Sequence, residues 1–238
     1  MSNILIVESK NDKIFLEALI KHFNYKIEVD RPIFINDYEC LGSDNKTKLT
    51  KTLKKLKIDA LQKDKEIEKI GLILDIDNSS VSERLEIVNQ CLKEAFDYLE
   101  IPTLEKTAEM IKISIPDDDL EIDFACYFMN IDGQGELETV LKTIKTKDST
   151  HANCLEDWKK CIINQGYAIT DKDFDKFWIS IYLRYDTCSN SEKRQAGKKC
   201  SMSGLDYIME NKSDIWDFNH PILDDLKTFL NLFETIKQ

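Results

Sequence analysis

Two short apolar runs in this chain stop abruptly on carboxylates: Ile4-Leu5-Ile6-Val7 ends at Glu8, and Ile70-Gly71-Leu72-Ile73-Leu74 ends at Asp75-Ile76-Asp77. Runs of four or five apolar residues are too short for an ordinary helix and fit strands buried on both faces, as in a parallel sheet. Ligands of open α/β sheets sit beyond the carboxyl ends of the strands. If these strands are neighbours, Glu8, Asp75 and Asp77 meet at that edge. Asp75 and Asp77, two apart, would leave a strand on the same face. Carboxylates crowded in this way repel one another unless a cation lies among them.

The segments around the two runs alternate in the βα manner. After Glu8, residues 12–23 read as a helix with Ile14, Phe15, Ala18, Leu19 and His22 or Phe23 on one face, capped by Asn11 or Asp12. Short strand-like pieces follow at Lys26–Val29 and Pro32–Ile35, then a turn signal at Gly42-Ser43-Asp44-Asn45 and a helix over 46–57. Asn78-Ser79-Ser80 supplies caps for a helix whose apolar stripe is Leu85, Val88, Leu92, Ala95, Phe96 and Leu99. From Lys106 the period changes to two, on both sides of Pro116-Asp117-Asp118-Asp119, which marks a hairpin. Helices are expected at 136–145, 154–164, 173–185, 205–211 and 222–236, with a long polar loop from Ser189 to Ser203. The fold class expected is α/β: a mostly parallel sheet flanked by helices, with an added hairpin and a C-terminal helical extension. Its parts are a core over 1–104, a hairpin and helix over 105–149 completing that core, and an extension over 150–238 packed on it.

Composition narrows the function classes. No apolar stretch approaches the ~18 residues of a membrane span, so no membrane association is expected. The chain opens on a strand, without the basic, apolar and cleavage segments of a secretory signal. Its seven cysteines (Cys40, Cys91, Cys126, Cys154, Cys161, Cys188, Cys200) are odd in number, scattered and free of CxxC, which fits reduced thiols and a cytoplasmic location. A net charge of −11 argues against broad, non-specific nucleic-acid binding, though not against a local basic track. Neither a P-loop nor GxGxxG occurs, and three scattered histidines make no Ser–His–Asp or Cys–His case. His151, Cys154 and Cys161 lie at helical spacings without a fourth zinc ligand and read as ordinary side chains.

An all-carboxylate site with open positions suits Mg²⁺ or Mn²⁺, which keep waters and accept phosphate oxygens. The plainer alternative is that Asp77 caps the following helix and Glu8 faces solvent. At these residues the chain resembles the Toprim domain of topoisomerases, bacterial-type primases and OLD-family nucleases. The matching segments are Ile4-Leu5-Ile6-Val7-Glu8-Ser9-Lys10-Asn11-Asp12-Lys13 and Gly71-Leu72-Ile73-Leu74-Asp75-Ile76-Asp77, over about the first hundred residues. More narrowly it is similar to a small Toprim-related family of uncharacterised, mostly prokaryotic proteins, with Gly133-Gln134-Gly135-Glu136-Leu137-Glu138 as a shared turn-helix.

That resemblance implies metal-dependent phosphodiester chemistry on nucleic acid, most plausibly a nuclease. Glu8 would be the general acid/base or a metal ligand, Asp75 and Asp77 would be ligands, and Asp12 would be either a ligand or only a helix cap. Glu136 and Glu138 would add ligands or merely favour a helix first turn. The chain departs from the family at Ser9, where Gly is usual. This departure favours the alternative of a non-catalytic interaction or regulatory protein, to which the resemblance adds an association with defence against mobile elements. Lys10, Lys51, Lys54 and Lys55 are candidates for phosphate contact, the alternative being a solvated helix face. Lys193, Arg194, Lys198 and Lys199 in the polar loop invite the same reading. Whether the nucleic acid is DNA or RNA, and whether a second copy or a protein partner binds, stays open.

Overall fold

The first apolar run forms strand β1 (Ser2–Val7), followed by α1 (Lys10–Phe23), β2 (Glu28–Val29), α2 (Ser43–Leu61), β3 (Ile67–Asp75) and α3 (Val81–Ala95). The hairpin expected from the two-residue period is β4 (Ile111–Ile115) with β5 (Leu120–Met129), joined in an antiparallel register that pairs Ile113 with Ile122. The five strands line up in the order β2-β1-β3-β5-β4, and every neighbouring pair except β4–β5 is parallel. The protein is thus α/β, with a mostly parallel sheet and a C-terminal helical region. This computed structural model describes residues 2–30, 33, 43–62, 67–77, 79–97, 100–116, 120–133 and 135–234. The strand expected at 32–35, the turn residue Gly42, Leu99, the turn acids 117–119 and Cys40 fall outside that description, Ile33 excepted.

The chain divides into two compact units, Met1–Met129 with Asp224–Gln238, and Asn130–Leu223. In the first unit β3 is central, and its alternate residues serve opposite faces as a strand buried on both sides must. Ile70, Leu72 and Leu74 join Leu49, Leu53 and Leu56 of α2 and Leu85, Val88 and Leu92 of α3 in one cluster. The opposite face is covered by helix α9 (Asp224–Asn231) and the turn after it. A Cβ placed on Gly71 would collide with Leu5 Cδ2, lie 2.7 Å from Phe233 Cζ and 3.2 Å from Phe229 Cζ. The absent side chain is what lets the tips of these rings reach the sheet. Gly71→Ala should therefore cost about 1–3 kcal/mol by overpacking, read as a lower urea midpoint with an unchanged slope. The side-chain amide of Asn3 donates to the Phe233 carbonyl, and Lys69 Nζ donates to the Leu232 carbonyl at 2.7 Å, pinning the end of α9 to β1 and β3.

The second unit is built from α4 (Leu137–Thr143), α5 (Thr150–Asn164), α6 (Asp171–Ile181), α7 (Ala196–Lys199) and α8 (Leu205–Asn211). α6 runs on through one π-helical turn at Tyr182–Asp186. Trp178 stacks on Tyr182 with ring centroids 5.3 Å apart, and Tyr182 meets Trp216 at 5.7 Å. The second unit begins directly after β5 and α9 returns to the first, whereas the sequence suggested a single extension from residue 150. The last helix is also shorter than the apolar pattern over 222–236 suggested. None of the described helices is long and apolar enough to cross a membrane.

Two local expectations need correction. Cys188 and Cys200 form a disulfide, so the thiols are not all reduced. The segment expected to be a long polar loop is instead a chain of short helical turns at Glu192–Gln195, Ala196–Lys199 and Met202–Gly204. Both corrections have one cause: a cross-link between residues twelve apart leaves no periodic mark in a polar sequence.

Candidate functional site

β1 and β3 are direct neighbours with Val7 opposite Ile73, so Glu8 emerges level with the end of β3. Glu8 Oε2 accepts the Asp75 backbone N–H at 2.9 Å, which ties the two strand ends together. The side chain is 5% exposed. Burial pushes its carboxyl up to about 8, with Asp12 and Asp77 adding to the rise and the Asp75 N–H and Arg84 working against it. At neutral pH this carboxyl is therefore largely protonated when no further cation is present.

Asp75 closes β3, and the ladder runs one residue further, with the Ile76 N–H donating to the Met129 carbonyl at 3.2 Å. Asp77 is off the strand. It takes the left-handed region (φ 52°), which Asp tolerates better than most residues because its short side chain can bond locally. The expectation that Asp75 and Asp77 share a face through strand alternation is corrected here: a reversal of the backbone brings them together. Carboxylate oxygens of the two residues lie within 4.8 Å of each other.

Arg84 is the residue that sequence reasoning overlooked. Its Nη2 donates to Asp77 Oδ2 at 2.7 Å and its Nε to the Ile76 carbonyl at 3.3 Å, so it clamps the reversal after β3. The guanidinium side chain is 4% exposed. A signal was present, because Arg84 falls in register with Val88, Cys91 and Ala95 on the buried face of α3, where a cation is out of place without a partner. α3 begins on a capping box between Ser80 and Glu83, which fixes its first turn and hence Arg84.

Asp12 is 3% exposed and belongs to a second capping box. The Ser9 N–H donates to Asp12 Oδ2 at 2.8 Å, and the Asp12 N–H donates to Ser9 Oγ at 3.2 Å. The cap of α1 is thus Ser9, and neither Asn11 nor Asp12. Ser9 sits in extended backbone (φ −119°) that any residue adopts, so nothing there demands Gly. Its hydroxyl does the capping that a Gly could not. Gly135 is the opposite case: its φ is +99°, and a Cβ there would lie 2.8 Å from Thr139 Oγ1.

Lys10 is exposed on the first turn of α1, directly after Glu8 and Ser9. Lys51, Lys54 and Lys55 are exposed on α2. Lys54 acts electrostatically on Asp97, to which Lys57 bonds at 2.6 Å. Asp97 follows the far end of α3, roughly 20 Å from Arg84 at the helical rise of ~1.5 Å per residue. The α2 lysines on that side therefore stand away from the carboxyl ends of the strands. In the second unit Glu136 is 3% exposed, with Oε2 at 3.0 Å from Lys172 Nζ and 3.4 Å from Lys176 Nζ. His151 Nδ1 pairs with Asp186 at 2.7 Å, and Cys154 and Cys161 are exposed free thiols with no zinc-like arrangement about them among the described residues.

A family profile described as a protein of unknown function, DUF3226, matches residues 2–235. The chain belongs to the DUF3226 family. No curated protein and no solved structure matches it. For this DUF3226 member the chemistry of the strand ends is the guide to activity: Glu8, Asp12, Asp75 and Asp77 gathered around the end of the sheet, with one guanidinium among them. The carboxylate oxygens of Asp75 and Asp77, within 4.8 Å of each other, are close enough to share a divalent ion.

Proposed function

We propose that the protein binds Mg²⁺ or Mn²⁺ at Asp75 and Asp77 and carries out Toprim-like phosphodiester hydrolysis on nucleic acid, with Glu8 beside the ion as general acid/base. The observation that carries this reading is the Glu8–Asp75 hydrogen bond, which ties a buried carboxyl on one strand to the backbone of Asp75, whose carboxylate lies within 4.8 Å of that of Asp77. An ion held there would stabilise the negative charge that develops on the phosphoryl oxygens. Glu8 spends Oε2 on the Asp75 N–H, leaving Oε1 to hold the proton exchanged with the attacking water or the leaving oxygen. Arg84 holds the Asp77 carboxylate through Oδ2, and an arriving ion competes with it for that carboxylate. The low exposure of Glu8 keeps bulk water from competing for that proton.

Folded protein incubated with Mn²⁺ or Mg²⁺ should cut plasmid, single-stranded DNA or RNA. Glu8→Gln and Asp75→Asn/Asp77→Asn should each lose at least a hundredfold in rate while keeping the native circular dichroism. If the folded wild type cleaves none of these substrates with any divalent ion, the enzyme reading fails. One observation favours a second reading, a non-catalytic interaction or regulatory protein. Asp77 and Asp12 already have structural work, in the Arg84 clamp and the α1 cap. On that reading an Asp77→Asn change lowers stability and leaves divalent-ion binding unaltered.

A further inference from the structure

The disulfide Cys188–Cys200 closes a loop that carries Lys193, Arg194, Lys198 and Lys199 against one acid, Glu192. In a chain of net charge −11 this is a local excess of positive charge. Its inner side is fastened at several points. Glu192 accepts the Ser189 N–H at 2.8 Å and lies 3.5 Å from Lys212 Nζ, which itself donates to the Thr187 carbonyl at 2.7 Å. Cys188, Ala196 and Cys200 make a small buried cluster of their own. Gly204 lies so close beneath the loop that a Cβ there would collide with the Lys198 carbonyl. Lys199 lies over the Tyr207 ring at 5.0 Å.

The outer side is different. Lys193, Arg194 and Lys198 are exposed, and among the described residues no carboxylate pairs with any of them. Elsewhere in the same unit most lysines are paired: Lys142, Lys147, Lys159, Lys160, Lys172 and Lys176 each meet an acid within 4 Å. Arg194 stands on the 3-10 turn Glu192–Gln195 and Lys198 on the short helix that follows it. The other exposed residues of the loop are Ser189, Asn190, Ser191, Gln195 and Gly197, with no aliphatic or aromatic side chain to enter a lipid boundary. Lys and Arg interleaved with small amides are the groups that contact phosphates of a strand.

We infer that this stapled loop is a docking platform for the sugar-phosphate backbone of a nucleic-acid strand, bound without regard to sequence. The inference rests on the reading of the protein as one that acts on nucleic acid. The staple holds the three free cations in place before binding, so less ordering is required on contact.

The test is fluorescence anisotropy of a labelled single-stranded 30-mer, in EDTA so that no divalent ion contributes. Wild-type protein should bind at low salt, with affinity falling as salt rises. Lys193→Glu/Arg194→Glu/Lys198→Glu should weaken binding at least tenfold and flatten the salt slope by about 2, the value for three phosphates on a single strand. A triple Lys51→Glu/Lys54→Glu/Lys55→Glu changes net charge equally and should weaken it much less. Cys188→Ser/Cys200→Ser keeps the charges and should weaken binding severalfold. The inference is overturned if wild type does not bind, if the two triple variants behave alike, or if phosphatidylserine vesicles bind the loop better than the strand. An unchanged affinity in the double Ser variant removes the staple from it. Binding that survives in EDTA while cleavage is absent with every metal would sink the hydrolytic reading alone.

Discussion

Glu8→Gln should make the metal-free protein markedly more stable at neutral pH. The folded carboxyl stands at about 8 against 4.5 for an unperturbed one, chiefly because burial disfavours its charge. The fold therefore holds this proton more tightly than the unfolded chain does. Its contribution is fully present below pH 4.5 and is lost as pH rises through 8. Between pH 4.5 and 7 the wild type should lose ~3 kcal/mol relative to the Gln variant, which cannot ionise. In a chain of this length that is a difference of about 6–12 °C in melting temperature at pH 7. The Gln carbonyl can still accept the Asp75 N–H, so the comparison isolates the charge. Melting curves in EDTA from pH 4.5 to 8.5 decide it: a widening gap is expected, and parallel profiles would contradict the burial of Glu8. A divalent ion should reverse the order at pH 7, because it rewards the ionised form that burial penalises.

Arg84→Met should be the most damaging single change near the strand ends. It removes a 4% exposed guanidinium and leaves Asp77, 15% exposed, without that cation, while the Ile76 carbonyl loses a donor. Breaking a buried pair from one side costs about 3–5 kcal/mol, mostly the penalty on the charge left behind. Adding Asp77→Asn to Arg84→Met should recover much of that loss, because no stranded charge remains, and a double-mutant cycle measures the recovery. Arg84 also competes with any bound ion for Asp77. The Met variant should consequently gain more from Mn²⁺ in a thermal melt than the wild type does. A loss under ~1 kcal/mol would mean that the clamp does little in solution.

The elements that could be read from the chain were those whose signals are local. β1 and β3 announced themselves as apolar runs too short for helices, α3 by its serine cap and its stripe, and the β4–β5 hairpin by its period of two. α8 spans the residues its pattern indicated. The arrangements that escaped depend on contacts distant in sequence. Nothing local says that Cys188 should find Cys200, or that Phe229 and Phe233 should return to lie on Gly71. Gly71 itself was the hint, a residue without a side chain in the middle of a strand, where close approach of another group is a standing reason.

The strand ends were legible in part for the same reason. That Glu8 adjoins Asp75 followed from two buried strands being neighbours, and the hydrogen bond between them agrees. The left-handed turn that carries Asp77 could not be read, because it is set by Arg84 from the next helix. Asp12 was weighed as ligand or cap, and its bonds with Ser9 give it the cap's geometry.

The most direct measurement is a titration of Mn²⁺ into the protein at pH 8, followed by the electron paramagnetic resonance signal of the free ion. The account predicts that signal is removed by the wild type and by Lys193→Glu/Arg194→Glu/Lys198→Glu alike, and is restored in Asp75→Asn/Asp77→Asn. Wild-type protein that leaves millimolar Mn²⁺ entirely free, or a double Asn variant that takes up as much as the wild type, would contradict it.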